Sequence, residues 1–261
     1  MTLQDESWLI TGANGKIGRG LRRHLQPRVG HLVVADLEAP EAGEVNETCR
    51  AFDLRDPATI PPLLDGVDGV VHLAGIPDEA PYADLLQVNA LGLYHLLESM
   101  RAAGVRHLVY ASSNRATGLH PASATLDETS TIRPDGLYGA SKAACEALAR
   151  MYADKFGLRV ASLCIGTFKE APENPREAAT WLSHADAWRA FEAAMTTRED
   201  YCVFYAVSAN EHRFWSLEPG RAIGYEPQDD AARILGHDVA PPRDEPQAGA
   251  LGSAEFTLRH M

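Results

Sequence analysis

Tyr138 and Lys142 stand four residues apart, so on a helix their side chains share one face. No other tyrosine in the chain is followed by a lysine at that spacing. Free tyrosine, with a pKa of about 10, is a poor base near neutrality, but an ammonium beside it favours the phenolate. Oxidation of an alcohol asks for such a pair, because a base must take the hydroxyl proton while hydride leaves the carbon. The stretch His107-Leu-Val-Tyr-Ala-Ser-Ser113 reads as a strand ending in two hydroxyls. Ser113 would hold a substrate oxygen against Tyr138. Asn114 and Arg115 follow at the same edge, and the helix bearing Tyr138 is predicted to begin near Gly136.

A hydride acceptor must be positioned beside this pair, and the N-terminal stretch offers the means. Trp8, Leu9 and Ile10 form a short apolar run suited to a strand buried on both faces. Gly12, Gly15 and Gly18 follow at three-residue spacing, and Ile17, Leu21 and Leu25 then recur at helical spacing. Strand, glycine turn and helix make a dinucleotide-binding opening. Gly12 permits the tight turn, Gly15 lets backbone approach a pyrophosphate, and Gly18 lets helix pack closely on strand. The helix start at Lys16 and Ile17 turns free N–H groups toward the phosphates. The second strand, His31-Leu-Val-Val-Ala-Asp36, ends in an acid where a carboxylate accepts the adenosine ribose hydroxyls. Asp36 repels a 2′-phosphate, and Leu37 and Glu38 supply no cation, so NAD is expected rather than NADP. Bound NAD would add its positive nicotinamide ring to Lys142 in favouring the phenolate, and Lys142 can hydrogen-bond the nicotinamide ribose.

Strands and helices alternate along the chain, which predicts an α/β fold with a Rossmann-type, doubly wound parallel sheet. Arg50-Ala-Phe-Asp-Leu54 reads as a third strand, where Asp53 either reaches the adenine amino group or caps the helix after Pro57. Gly69-Val-Val-His-Leu-Ala-Gly75 is a fourth, and its small end (Leu73, Ala74, Gly75) lets the cofactor's central part lie against backbone. Tyr82 to Ala103 reads as one long helix with Leu85, Leu86, Val88, Leu93, Leu96 and Leu97 mostly on its buried side. Asn89 interrupts that side; it is counted with the cofactor-binding residues and is expected to bond a neighbouring strand's backbone, with an indirect catalytic effect through backbone positioning. Leu54 and Ile165 join the cofactor-binding set at the ends of the third and sixth strands, the latter being Arg159-Val-Ala-Ser-Leu-Cys-Ile165. A helix over His184 to Thr197 and a last strand over Tyr201 to Val207 follow. Residues 1–166 with 201–208 are therefore expected to form the NAD-binding core. Residues 167–200 and 209–261 would make a small substrate-binding cap and a tail, rich in Pro, Gly and Ala from Ala240, that wraps the surface or meets another subunit.

The formal net charge of −12 argues against a nucleic-acid partner, since phosphate backbones call for a basic surface. An anionic substrate would face the same opposing field and need a local arginine to capture it. No apolar run approaches the roughly 20 residues of a membrane span, and no signal peptide is visible. Cys49, Cys145, Cys164 and Cys202 are scattered without metal-ligand spacing, so no metal is expected and a cytoplasmic setting is.

Thr11-Gly-Ala-Asn-Gly-Lys-Ile-Gly18, Asp36, Leu73-Ala-Gly75, Ser112-Ser113 and Tyr138-Gly-Ala-Ser-Lys142 together resemble the extended short-chain dehydrogenase/reductases, over residues 7 to about 237. Within that superfamily the chain is most similar to the bacterial uronate dehydrogenases. Ala111-Ser-Ser-Asn114, Arg133-Pro-Asp-Gly-Leu-Tyr-Gly139, Ala149-Arg-Met-Tyr-Ala-Asp-Lys-Phe-Gly157 and Asn174-Pro-Arg176 with Thr180-Trp-Leu-Ser-His184 carry that similarity. It implies NAD-dependent oxidation at C1 of a hexuronic acid such as galacturonate or glucuronate, an aldarolactone as product, and a homo-oligomer. It sets Arg176 against the substrate's C6 carboxylate, which a planar guanidinium matches bidentately. Ser113, Asn114, Arg115, Tyr138 and Thr167 would surround the sugar. Three positions depart from the family pattern: Arg115 replaces a histidine, Thr167 a serine and Pro77 a serine. The competing readings are another sugar or nucleotide-sugar enzyme of the same superfamily, and a non-catalytic NAD(H)-sensing protein. Retention of both Tyr138 and Lys142 counts against the sensor.

Overall fold

In the computed structural model, which describes residues 2–43 and 45–261, the fold follows from alternation within short strands. Along β1 (Ser7–Thr11), Trp8 and Ile10 join one apolar core and Leu9 joins a second on the opposite face. A strand apolar on both sides must be covered on both sides. The other strands are β2 (His31–Asp36), β3 (Glu47–Ala51), β4 (Gly69–His72), β5 (His107–Ser113), β6 (Arg159–Ile165), β7 (Thr167–Phe168), β8 (Trp181–Leu182) and β9 (Tyr201–Ala206). Seven of them form one sheet in the order β3-β2-β1-β4-β5-β6-β9, with all pairs parallel. The strand order reverses between β1 and β4, and the crevice beyond the carboxyl ends there is where such sheets bind ligands. The doubly wound parallel sheet is thus the observed architecture, while β7 and β8 pair apart from it.

Helices α1 (Lys16–Leu25) and α6 (His184–Thr196) cover one face, with Leu21, Leu25, Ala187, Ala190 and Phe191 in a single core. Part of the segment assigned from sequence to a cap, the helix α6, therefore lies on the sheet, while the short α5 (Pro175–Thr180) before it carries Arg176 at the cleft. On the other face Leu93, Leu96 and Leu97 of α3 (Gly92–Ala103) meet Cys145, Ala149 and Tyr152 of α4 (Leu137–Phe156).

Two expected elements are redrawn. The third strand covers Glu47–Ala51 rather than Arg50–Leu54, because its pairing with β2 runs from Leu32↔Glu47 to Asp36↔Ala51. The long helix is α2 (Tyr82–Leu85), a π-helical turn (Leu86–Leu91) and then α3, and Leu86, expected on the buried side, is exposed where the wider turn begins. Asn89 sits in that wider turn and is 96% buried by its relative exposure of 4%.

Beyond β9, Phe214, Trp215 and Leu217 pack with Leu126 and Tyr205, and three short helices follow: α7 (Glu218–Ala222), α8 (Ala231–Leu235) and α9 (Ala254–Leu258). The Pro- and Gly-rich tail wraps its own chain. Gln247, buried, accepts from Trp215 Nε1 at 3.0 Å and donates to the carbonyls of Pro121 and Ala124. All four cysteines are free. No helix among the described residues is long and apolar enough to cross a membrane.

Candidate active site

A cleft of about 1170 Å³ opens at the carboxyl edge of the sheet. Every candidate residue named from sequence lines it except Asn89. At one end lies the glycine turn. Gly12 has φ +75°, and a Cβ there would come within 2.6 Å of the Ala74 backbone nitrogen. A Cβ on Gly18 would lie 2.2 Å from the Gly12 carbonyl oxygen, so strand and helix touch through backbone. The α1 N-cap, Gly15, contributes no side-chain cap, which leaves N–H groups of the first turn open to an anion. Asp36 is held at the end of β2 by the N–H groups of Asn14 and Leu37, both at 2.8 Å. These residues fit a dinucleotide: a backbone-lined cradle, open amide donors and a fixed acid for a ribose.

Asp53 lines the same end, and its carboxylate is gripped by Arg55 at 2.6 Å. It caps nothing. Asp56 accepts from the Ala58 N–H and caps the helical turn after it. Asn89 does not reach the cleft as a cofactor ligand would. Its oxygen accepts the Ile76 N–H at 2.8 Å, and its amide donates to the Ile76 carbonyl and to Ser141 Oγ at 3.2 Å each. A Cβ on Gly75 would lie 2.7 Å from that oxygen, so the loop after β4 is drawn tightly onto it. The backbone that Asn89 meets is thus that of the loop after β4 and not, as expected, that of a strand.

Beneath the cleft His72 Nδ1 and Thr11 Oγ1 are 2.7 Å apart, and burial pulls the imidazole pKa down to about 3, with the Lys142 ammonium adding to the effect.

Tyr138 and Lys142 meet the strand end that carries Ser113. Lys142 Nζ donates to the Ala111 carbonyl at 2.8 Å and lies 5.7 Å from the Tyr138 ring centroid. Ser113 Oγ accepts the Arg115 N–H at 3.2 Å. Asn114 lines the cleft beside it, and Thr167 joins across a hydroxyl contact to Thr180 at 2.7 Å.

The two arginines expected near substrate differ in what they have left to offer. Arg115 is buried, and its three nitrogens donate to Asp135 Oδ1 (2.8 Å), Asp78 Oδ1 (2.7 Å) and Glu79 Oε2 (2.9 Å). With three carboxylates on it, this guanidinium is not free to hold a substrate anion. Arg176 donates from Nε to the Gln247 carbonyl at 2.8 Å and has no carboxylate partner among the described residues. Burial disfavours its charge while the neighbouring Asp135 supports it. A partly buried guanidinium with no carboxylate on it has the planar fork that can pair with one bidentately.

Sequence reasoning missed Glu79, Asp135 and Gln247. Glu79 Oε1 and Oε2 accept the N–H groups of Leu137 (2.6 Å) and Tyr138 (3.3 Å), the first two residues of α4. Asp135 has one oxygen without a partner, and burial raises its pKa to about 6 against the pull of Arg115. Only the tail's composition pointed toward Gln247, and the two acids lie in loops with no periodicity to mark them.

A parallel sheet with a glycine-lined cradle and a Tyr–Lys pair at its carboxyl edge defines a dinucleotide-dependent enzyme of the short-chain type. The chain belongs to the NAD dependent epimerase/dehydratase family, which matches residues 8–199. It is similar to the uronate dehydrogenase of Agrobacterium fabrum, at 40% identity over 239 residues, 90% of each chain. The uronate dehydrogenase of Pseudomonas syringae pv. tomato is 35% identical over 224 residues, covering 85% of this chain and 81% of that one. Among solved structures, a mutant uronate dehydrogenase from Agrobacterium tumefaciens complexed with NAD superposes with a TM-score of 0.88 at 37% identity, covering 96% of this chain and 98% of that one.

Proposed function

We propose that this protein oxidises a hexuronic acid, galacturonate or glucuronate, at C1 to the aldarolactone, with NAD as cofactor. One observation carries the proposal: a single cleft has a glycine cradle at one end, the Tyr138–Lys142 pair with Ser113 at its middle, and the unpaired Arg176 on its wall. The similarity to uronate dehydrogenases over most of the chain supports the same substrate class.

NAD, when bound, supplies the acceptor for the C1 hydride. Arg176 holds the C6 carboxylate and so fixes which end of the sugar enters. Ser113 and Tyr138 hold the anomeric hydroxyl between them, and Tyr138 removes its proton. Lys142 turns from the Ala111 carbonyl to the ribose and keeps positive charge beside the phenol. Asn114 and Thr167 offer polar groups to the remaining hydroxyls. Gly12, Gly15, Lys16, Ile17, Gly18, Asp36, Leu37, Leu54, Leu73, Ala74, Gly75 and Ile165 border the cofactor.

In this reading residues 1–166 with 201–208 hold the cofactor, α6 packs on their sheet, and the rest of 167–200 with 209–261 supplies the substrate side. Tyr82 of α2, Leu86 of the π turn, Tyr94 of α3 and Phe156 of α4 are exposed, which suits a homo-oligomer packed through them. Free cysteines suit a reducing compartment such as the cytoplasm.

The experiment is direct. NADH absorbance should rise when the protein is mixed with NAD and galacturonate or glucuronate. Activity confined to neutral sugars or nucleotide sugars would overturn the assignment, and size measurement by light scattering tests the oligomer.

A further inference from the structure

Arg115 has the surroundings of a strut. Its backbone N–H is on Ser113 Oγ, its carbonyl accepts the Asp135 N–H at 3.1 Å, and its guanidinium carbon lies 5.3 Å from the Tyr138 ring centroid. A single residue thus touches both groups expected to hold the reacting hydroxyl. The helix that carries Tyr138 starts at a glycine with no side-chain oxygen to cap it, and Glu79 reaches across from the loop after β4 to do so. The same Glu79 oxygen that accepts the Tyr138 N–H also accepts Arg115. Close approach leaves little slack: a Cβ on Gly139 would lie 2.3 Å from the Arg115 carbonyl oxygen, and one on Gly136 would lie 2.7 Å from Glu79.

We infer that Arg115, Glu79 and Asp135 form a buried ionic clamp that sets the position of Tyr138 relative to Ser113, so that Arg115 is a positioning residue for the oxidation and not a receptor for the substrate's carboxylate. The inference rests on Tyr138 being the base. The three carboxylates fix the guanidinium plane from three sides, and the plane in turn fixes the phenol ring lying under it. A displacement of about 1 Å at a reacting group can cost roughly a hundredfold in rate. A lysine has one point charge and cannot meet three carboxylates in one plane.

The test uses the full-length protein with Arg115→Gln, Arg115→Lys and Glu79→Gln, and reads kcat, the uronate KM, NAD affinity by fluorescence titration, and the thermal transition. Arg115→Gln is expected to lower kcat by roughly a hundredfold while the uronate KM and NAD affinity stay within about threefold. Arg115→Lys should recover part of that loss, and Glu79→Gln, which keeps an oxygen for the helix but no charge for Arg115, should lower kcat with the same unchanged KM. If Arg115→Gln raises KM tenfold or more with kcat kept, the residue binds substrate and the clamp is wrong. Unchanged kcat in both Arg115→Gln and Glu79→Gln would also overturn it. Should Arg115→Gln lose its thermal transition, Glu79→Gln and Arg115→Lys decide by the same split. A Tyr138→Phe protein that keeps its rate would sink the base assignment instead, a distinct outcome.

Discussion

Asn89 closes a two-way hydrogen bond with the backbone of Ile76, accepting its N–H at 2.8 Å and donating to its carbonyl at 3.2 Å. Because the same amide also reaches Ser141, on the helix of Tyr138, one buried side chain couples the cofactor-side loop to the catalytic helix. Asn89→Ala would leave the Ile76 groups and Ser141 short of partners, at about 1–3 kcal/mol for an unsatisfied buried group. The expected outcome is a lower melting temperature together with NAD affinity weakened roughly tenfold, since the loop it anchors borders the cofactor. Calorimetry and fluorescence titration check the two effects, and a change in Tm with unaltered NAD affinity would restrict Asn89 to folding.

Tyr138→Phe removes the hydroxyl and leaves the ring and backbone contacts of the residue in place. Turnover should fall by about 10³-fold or more, with NAD affinity close to wild type. Stopped-flow measurement of NADH formation would detect any residual chemical step.

Arg176→Ala should raise the uronate KM by roughly 10- to 100-fold, the loss of a charge-assisted hydrogen bond of about 1.5–3 kcal/mol. Lysine at this position should not restore affinity, since it lacks the planar fork. NAD binding, at the far end of the cleft, should be unaffected. An unchanged KM for galacturonate and glucuronate would remove Arg176 from substrate recognition.

Asp36→Ala should reduce the preference for NAD over NADP by weakening the ribose contact and lifting the repulsion of a 2′-phosphate. The ratio of kcat/KM for the two cofactors measures it directly.

His72 makes a prediction about acid. Burial lowers its pKa in the folded protein from the ordinary 6.5 to about 3. Below pH 6.5 the unfolded chain takes up a proton that the folded chain refuses, so the neutral ring contributes stability above pH 6.5 that is lost as pH falls toward 3. The slope approaches about 1.4 kcal/mol per pH unit inside that window. Denaturant midpoints between pH 4 and 7 for the wild type and His72→Gln should converge as pH falls. Parallel curves would mean that His72 titrates normally.

The fold was legible wherever apolar alternation or glycine spacing was strong. The sequence placed β2, β5 and β6 with the bounds the structure has, since each is a continuous apolar run between polar breaks. β3 slipped by three residues because its sequence, Glu47-Thr-Cys-Arg-Ala51, is half exposed at the sheet edge and carries no apolar signal. The helix around Asn89 read as regular because a π turn leaves no mark on periodicity except the misplaced polar residue. At the site, residue type and spacing found the groups that face the cleft. They could not find Glu79 or Asp135, whose importance lies in which charge they meet across loops, nor foresee that Arg115 would be fully engaged by them.

The grip of the Gln247 carbonyl on Arg176 sets an order of assembly. During synthesis the glycine cradle and strands β1 to β6 leave the ribosome some eighty residues before Gln247 does. A nascent chain can therefore build its dinucleotide pocket early, while the guanidinium proposed to select an acidic sugar is steadied only when the distal segment folds back. Alterations near residue 247 would then blunt discrimination among sugars and leave cofactor retention intact.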